Sequence, residues 1–186
     1  MTDTFNLRFS QDLHVPLQHP LNGRRYTLLR ADGVPFAPEH AAEVAAVCNE
    51  PLVYDRLFRA RRHGQPYTVE EGEEFLTWAA AGWLEGTHFV FLLLDTEDRV
   101  VGALDIKSPE LDAGEVGYWL SGEQRGIMTT ALRAMIDAAR EAGFQRLWAR
   151  LDADNLRSLA LLQRAGFTAY FPADAEPGTA YFEREL

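Results

Sequence analysis

Between Glu115 and Phe167 the chain reads as a strand (Glu115 to Leu120), a short turn holding Gly122 and Gly126, and a long amphipathic helix; a second strand and Asn155-x-x-Ser158 then lead to Gly166-Phe167. This order constrains the fold more than any other stretch. A strand that passes through a glycine turn into a helix leaves unpaired backbone N–H groups at the positive end of the helix dipole, where polyanionic phosphates bind well. The segment therefore directs attention to a phosphate-bearing cofactor.

The helix after Gly126 places apolar residues at Met128, Leu132, Met135, Ile136 and Ala139, and Gly143 closes it. Leu147, Ala149 and Leu151 alternate with Trp148 and Arg150, which is the pattern of a strand with two different faces. Asn155 fits the N-cap of a further helix and Gly166 its left-handed terminator.

Upstream, Tyr26 to Leu29 reads as a strand and Pro38 to Asn49 as a helix entered through its proline. Thr68 and Glu71 form a capping box for a helix running to about Trp83. His88 to Asp95 and Val100 to Ile106 flank the polar turn Thr96 to Arg99 and continue to Glu115 as an antiparallel meander. Phe167 to Phe171 and Thr179 to Glu185 close the chain as strands. The expected architecture is α/β of the α+β type: a mixed, mostly antiparallel sheet of about six to seven strands with helices on both faces. At 186 residues the chain is expected to form one domain, with residues 1–24 as an N-terminal extension and 25–186 as the core.

The pieces Glu115-Val116-Gly117-Tyr118-Trp119-Leu120, Gly126-Ile127-Met128-Thr129-Thr130-Ala131-Leu132, Asn155-Leu156-Arg157-Ser158 and Leu161 to Phe167 occur in an order that resembles the acyl-CoA core of the GCN5-related N-acetyltransferases. The ribosomal-protein-alanine-acetyltransferase-like branch is the most similar. The resemblance implies the acyl-CoA N-acyltransferase fold, acetyl-CoA as acyl donor, and an acceptor that is a small amine or a peptide N-terminus. It also implies a monomer or homodimer.

Carried over residue by residue, the resemblance sets the pantetheine arm along Val116, Tyr118, Trp119 and Leu120, where that strand parts from Leu147 to Leu151. The diphosphate falls on the backbone of Gly126, Ile127, Met128 and Thr129, which Gly126 lets approach closely. The turn is about two residues shorter than the family's, and Glu123 stands at the usual basic position unless Gln124 or Arg125 slides into it. Asn155 contacts pantetheine or serves as the helix cap. Tyr118 and Trp119 also read well as core residues of a strand.

Direct transfer needs a neutral amine, and the resemblance makes Glu115 the first candidate to take its proton, because it matches an acidic position used by several family members; a surface or hydrogen-bonded strand carboxylate is the alternative reading of the same residue. Backbone N–H groups near Trp119 or Leu120 would polarise the thioester carbonyl. The departing thiolate has a pKa of about 8.5 and needs modest help. Leu162 falls where many relatives place a tyrosine for that step, leaving Ser158 or water. Trp78, Trp83 and Tyr181 are candidates for the border of an acceptor pocket.

The formal charge of -10 disfavours nucleic-acid binding and favours a cationic partner such as an amine. Lys107 is the only lysine, and Arg56, Arg59, Arg61, Arg62 and His63 form a local basic group that reads as a solvated helix end or loop, or as an anion contact. The histidines show no pair at helical ligand spacing, and Cys48 stands alone, so no metal is expected. Cys48 sits among small apolar residues and reads as core. With no stretch long enough to cross a bilayer and no basic, apolar leader in residues 1–17, the expected location is cytoplasmic, with no membrane association. A non-catalytic protein of the same fold, binding a ligand or protein, is the alternative to the enzyme.

Overall fold

The computed structural model describes residues 8–33 and 35–186. Its frame is one eight-stranded sheet in the order β1-β2-β3-β4-β5-β6-β8-β7. The strands are β1 (His14–Gln18), β2 (Arg25–Arg30), β3 (Phe89–Leu94), β4 (Val100–Ile106), β5 (Gly114–Leu120), β6 (Arg146–Asp152), β7 (Thr168–Tyr170) and β8 (Thr179–Glu185). The helices are α1 (Pro38–Cys48), α2 (Pro51–Leu57), α3 (Val69–Glu85), α4 (Met128–Ala142) and α5 (Leu156–Arg164). Every neighbouring pair is antiparallel except β5 with β6.

All six residues of Phe89-Val90-Phe91-Leu92-Leu93-Leu94 are buried, so β3 is covered on both faces and reads as an unbroken apolar run rather than an alternation. Trp83 of α3 donates its indole N–H to the Val90 carbonyl at 2.6 Å and packs its ring against Phe89 and Phe91. The capping box at Thr68 and Glu71 forms as expected, and Gly143 and Gly166 adopt the left-handed conformation that ends α4 and its successor. Gly72 lets α3 approach α1, since a Cβ there would stand 2.3 Å from the Ala41 carbonyl oxygen.

Two expectations are corrected. The sheet has eight strands rather than six or seven, because His14–Gln18 pairs with β2; Pro16 speaks against a central strand, but β1 is an edge strand, where a missing N–H is tolerated. Residues 8–24, read as an extension, are thus built into the fold, and Phe9 packs on Trp83, Phe89, Phe91 and Phe144. Residues 1–7 of that segment lie outside the described residues. A helix absent from the sequence reading, α2, enters through Pro51 and carries Arg56 in its last turn. Among the described residues no helix is long and apolar enough to cross a membrane.

Candidate active site

The two parallel strands part almost at once. β5 and β6 pair only at Gly114 with Leu147 and Glu115 with Trp148, whereas β5 pairs with β4 from Val116 through Leu120. From Val116 onward the other edge of β5 therefore has no strand partner, and a cavity of ≈ 920 Å³ opens between it, β6 and α5. Val116 to Leu120, Met128, Thr129, Asn155, Ser158 and Leu162 all line it.

The turn joining β5 to α4 stands at one end of this cleft and is held from outside. The Glu50 carboxylate accepts from Ser121 Oγ at 2.7 Å and from the Gly122 N–H at 2.6 Å. Tyr26 donates its hydroxyl to Gln124 Oε1 at 2.6 Å. His19, buried, donates from Nε2 to the Arg125 carbonyl at 2.7 Å and accepts at Nδ1 from the Leu21 and Asn22 N–H groups; these partners assign the tautomer. Among the described residues, the N–H groups of Arg125, Gly126, Met128 and Thr129 find no protein acceptor. They cluster at the N-terminus of a fifteen-residue helix.

Charge reinforces this. In a chain of net charge -10, the cleft is lined by six cations (Arg56, Lys107, Arg125, Arg150, Arg157 and Arg164) and two carboxylates (Asp152 and Glu176). Arg56 crosses its mouth to Asp152 at 3.2 Å and to Asp154. A polyanion fits this lining and a cation does not.

A second cavity, of ≈ 640 Å³, lies on the side of β5 toward α1 and α3. It shares Leu57, Lys107, Gly117, Tyr118 and Trp119 with the first, so the segment Gly117–Trp119 is a common wall. Asp105 of β4 lies on it, directly across the ladder from Gly117. A Cβ at Gly117 would stand 2.4 Å from Asp105 Oδ1, so the glycine is what leaves room for the carboxylate. Burial pushes the Asp105 carboxyl above the usual range, against the opposing pull of Lys107 and the Gly117 N–H. Tyr118 is pushed up to about 12 by burial, opposed by the nearby Ser158 hydroxyl.

A family model described as an acetyltransferase (GNAT) domain matches residues 34–168. The chain belongs to the GNAT acetyltransferase family. A search of curated proteins found no match. Among solved structures, a ribosomal L7/L12 alpha-N-protein acetyltransferase (RimL) in complex with coenzyme A is 19% identical with a TM-score of 0.67, covering 90% of this chain and 97% of that one. The microcin C7 self-immunity acetyltransferase MccE, in complex with acetyl-CoA and AMP, is 17% identical with a TM-score of 0.69 and coverage of 95% and 100%. The ribosomal-protein-S5-alanine acetyltransferase from Vibrio fischeri is 20% identical with a TM-score of 0.64 and coverage of 94% and 97%. These likenesses establish the acyl-CoA N-acyltransferase fold.

Of the residues anticipated for this GNAT site, Val116, Tyr118, Trp119, Leu120, Arg125, Gly126, Met128, Thr129, Asn155 and Ser158 converge on the first cleft. Asn155 also caps α5, its Oδ1 accepting from the Ser158 N–H at 3.3 Å. Tyr118 and Trp119 are half-buried rather than core, because the parted strands leave their faces open. Gln124 and Ile127 do not fit the expectation. Both side chains are buried away from the cleft, Gln124 on Tyr26 and Ile127 in the core, and the Ile127 N–H is directed to the Gln124 carbonyl. Glu123 is exposed and does not line the cleft.

Glu115 is also misplaced as a base. It lines neither cavity, and its Oε1 is taken by Lys107 Nζ at 2.6 Å and Arg150 Nε at 3.4 Å. Gly126 has a different reason from the one anticipated: its φ is +103°, and a Cβ would stand 2.6 Å from His19 Nε2. Trp78 lines the second cavity, whereas Trp83 is core and Tyr181 meets neither cavity. Cys48 is buried, its thiol raised to about 12 by burial, and contributes only to the wall of the second cavity. Sequence reading missed Glu50, His19 and Asp105. The last left a signal, a lone carboxylate within the otherwise apolar run Val100–Ile106.

Proposed function

We propose that the protein moves an acetyl group directly from acetyl-CoA to a primary amine of a small molecule or a protein N-terminus, with the donor in the cleft between β5 and β6. The observation that carries this reading is the loss of the β6 partner beyond Glu115, which leaves a bare strand edge ending at four unpaired N–H groups. An extended arm with amide groups pairs with such an edge, and a diphosphate suits N–H groups at a helix N-terminus. Arg125, Arg157 and Arg164, which pair with no carboxylate among the described residues, supply the complementary field.

Arg125, Gly126, Met128 and Thr129 thus hold the diphosphate, and Val116 to Leu120 orient the pantetheine arm. Asn155 fixes the start of α5, and with it Ser158. Ser158 and Tyr118 both line the cleft. Both carry O–H donors at neutral pH and are groups of this lining that can protonate a departing thiolate, in place of the family tyrosine that Leu162 replaces here. Leu162 itself is fully buried.

Heat denaturation with and without acetyl-CoA tests the donor site. At a hundred times its Kd the donor adds about 2.7 kcal/mol to stability, a rise in Tm of about 5–10 °C for a chain of this size. An unshifted Tm at saturating acetyl-CoA refutes the assignment.

A further inference from the structure

We propose that the second cavity receives the acceptor and takes a primary amine carried on a flat apolar body, with the Asp105 carboxylate accepting the proton its ammonium must lose. The inference rests on the first cleft being the donor site, since the two cavities share the wall Gly117–Trp119 where the acyl group would be presented.

The lining sets the class of acceptor. Phe58, Tyr67, Phe75, Trp78 and Trp119 supply aromatic faces. Phe75 bridges Trp78 and Trp119, with centroids 6.1 and 5.8 Å away, so the rings run continuously from the half-exposed Trp78 to the shared wall. Trp78 is stacked on His88 with centroids 3.9 Å apart, which fixes its plane. Such a surface favours a rigid, flat side chain over a linear polar one.

The charged groups set the other end. Arg62 is paired with Glu71, and Lys107 with Glu115, so neither is a free cation in the cavity. Glu74 and Asp105 remain on the acidic side and Arg61 on the basic side. Of these, Asp105 is the group adjoining the common wall. The groups that face it are Lys107 on its own strand, Glu115 and the Gly117 N–H on β5, and His88 at the entry to β3, with Glu71, Glu74, Arg61 and Arg62 around the rest of the cavity.

The proton balance is complete. Asp105 takes one proton from the ammonium and later returns it to water. The freed nitrogen lone pair forms the C–N bond to the thioester carbon, the C–S bond breaks with its electron pair on sulfur, and the second proton from nitrogen ends on the thiolate. Activity requires the deprotonated carboxylate, so it falls as pH drops through the Asp105 pKa. Because burial raises that pKa, the fall lies above the ordinary carboxylate range.

Thiol release from acetyl-CoA is followed with 2-phenylethylamine and tryptamine, with spermidine, and with a peptide bearing a free N-terminal alanine. The arylalkylamines are expected to exceed the other two by about 10-fold or more in kcat/KM. Asp105→Asn is expected to lower kcat by about 100-fold and abolish the acidic limb, with the Tm shift on acetyl-CoA binding retained. Trp78→Ala, at a half-exposed position, raises KM for the arylalkylamines and leaves KM for acetyl-CoA unchanged. Spermidine or the peptide as the better acceptor, or an Asp105→Asn enzyme with wild-type kcat and acidic limb, overturns the proposal while the donor site stands. Absence of any acetyl-CoA protection in the wild type overturns the donor reading instead, and this proposal with it.

Discussion

The two cavities on either side of β5 are built from different materials. The donor cleft is made largely of backbone: an unpaired strand edge, four free N–H groups and a helix terminus, with arginines around the mouth. The acceptor cavity is made of side chains brought from α2, the segment before α3, α3, β3, β4 and β5. Backbone recognition demands only that a strand, a turn and a helix follow one another. Side-chain recognition depends on how distant segments pack, so within one fold the donor site stays constant while the acceptor site is free to vary.

The sharpest test of this contrast is at Gly126. Its positive φ and the 2.6 Å approach of His19 to its missing Cβ make the position a packing requirement of the turn. Gly126→Ala is expected to cost about 2–4 kcal/mol, read as a lower midpoint in urea denaturation. The same substitution in a His19→Ala background should cost less, because the ring is gone and only the backbone strain remains. Equal costs in the two backgrounds would show that His19 does not dictate the glycine, returning Gly126 to a role in phosphate approach alone.

A smaller effect is expected at Glu50, which anchors the other end of the same turn through Ser121 Oγ and the Gly122 N–H. Glu50→Ala removes two hydrogen bonds to a carboxylate and should cost about 1.5–3 kcal/mol. Since the turn presents the free N–H groups, KM for acetyl-CoA rises, whereas KM for the amine is unchanged. A rise in the amine KM alone would mean that the turn and the acceptor cavity are coupled more tightly than the shared wall suggests.

The same contrast explains what the sequence discloses. The strand, glycine turn, helix and Asn155 cap are local, and the structure places their residues on one cleft. Apolar runs flanking a polar turn located β3 and β4, helical periodicity located α4, and capping chemistry located α3. What stayed hidden depends on long-range contacts. His14–Gln18 becomes a strand only because β2 offers it an edge, and Glu50 matters only because it reaches a turn seventy-one residues away. Gln124 and Ile127 follow the glycine-turn pattern in sequence, yet both side chains turn inward, since a short turn anchored on Tyr26 and His19 has no freedom to expose them. Arg125 alone of the candidates for the basic position reaches the cleft.

Glu115 and Asp105 bring the comparison down to two carboxylates one strand apart. Sequence pattern favours Glu115, on the strand that carries the rest of the donor site, but its carboxylate is occupied by Lys107 and Arg150 and lines neither cavity. Asp105 has a place on the acceptor wall and a carboxyl raised by burial. Glu115→Gln keeps a hydrogen-bonding group between the two cations and removes one negative charge that raises the Asp105 pKa. The acidic limb of kcat/KM should therefore move to slightly lower pH, with kcat changed by less than about 5-fold, well below the 10²–10⁴-fold effect typical of losing a general base. Loss of the limb in Glu115→Gln, with its retention in Asp105→Asn, would reverse the two roles and place proton transfer on the donor strand itself.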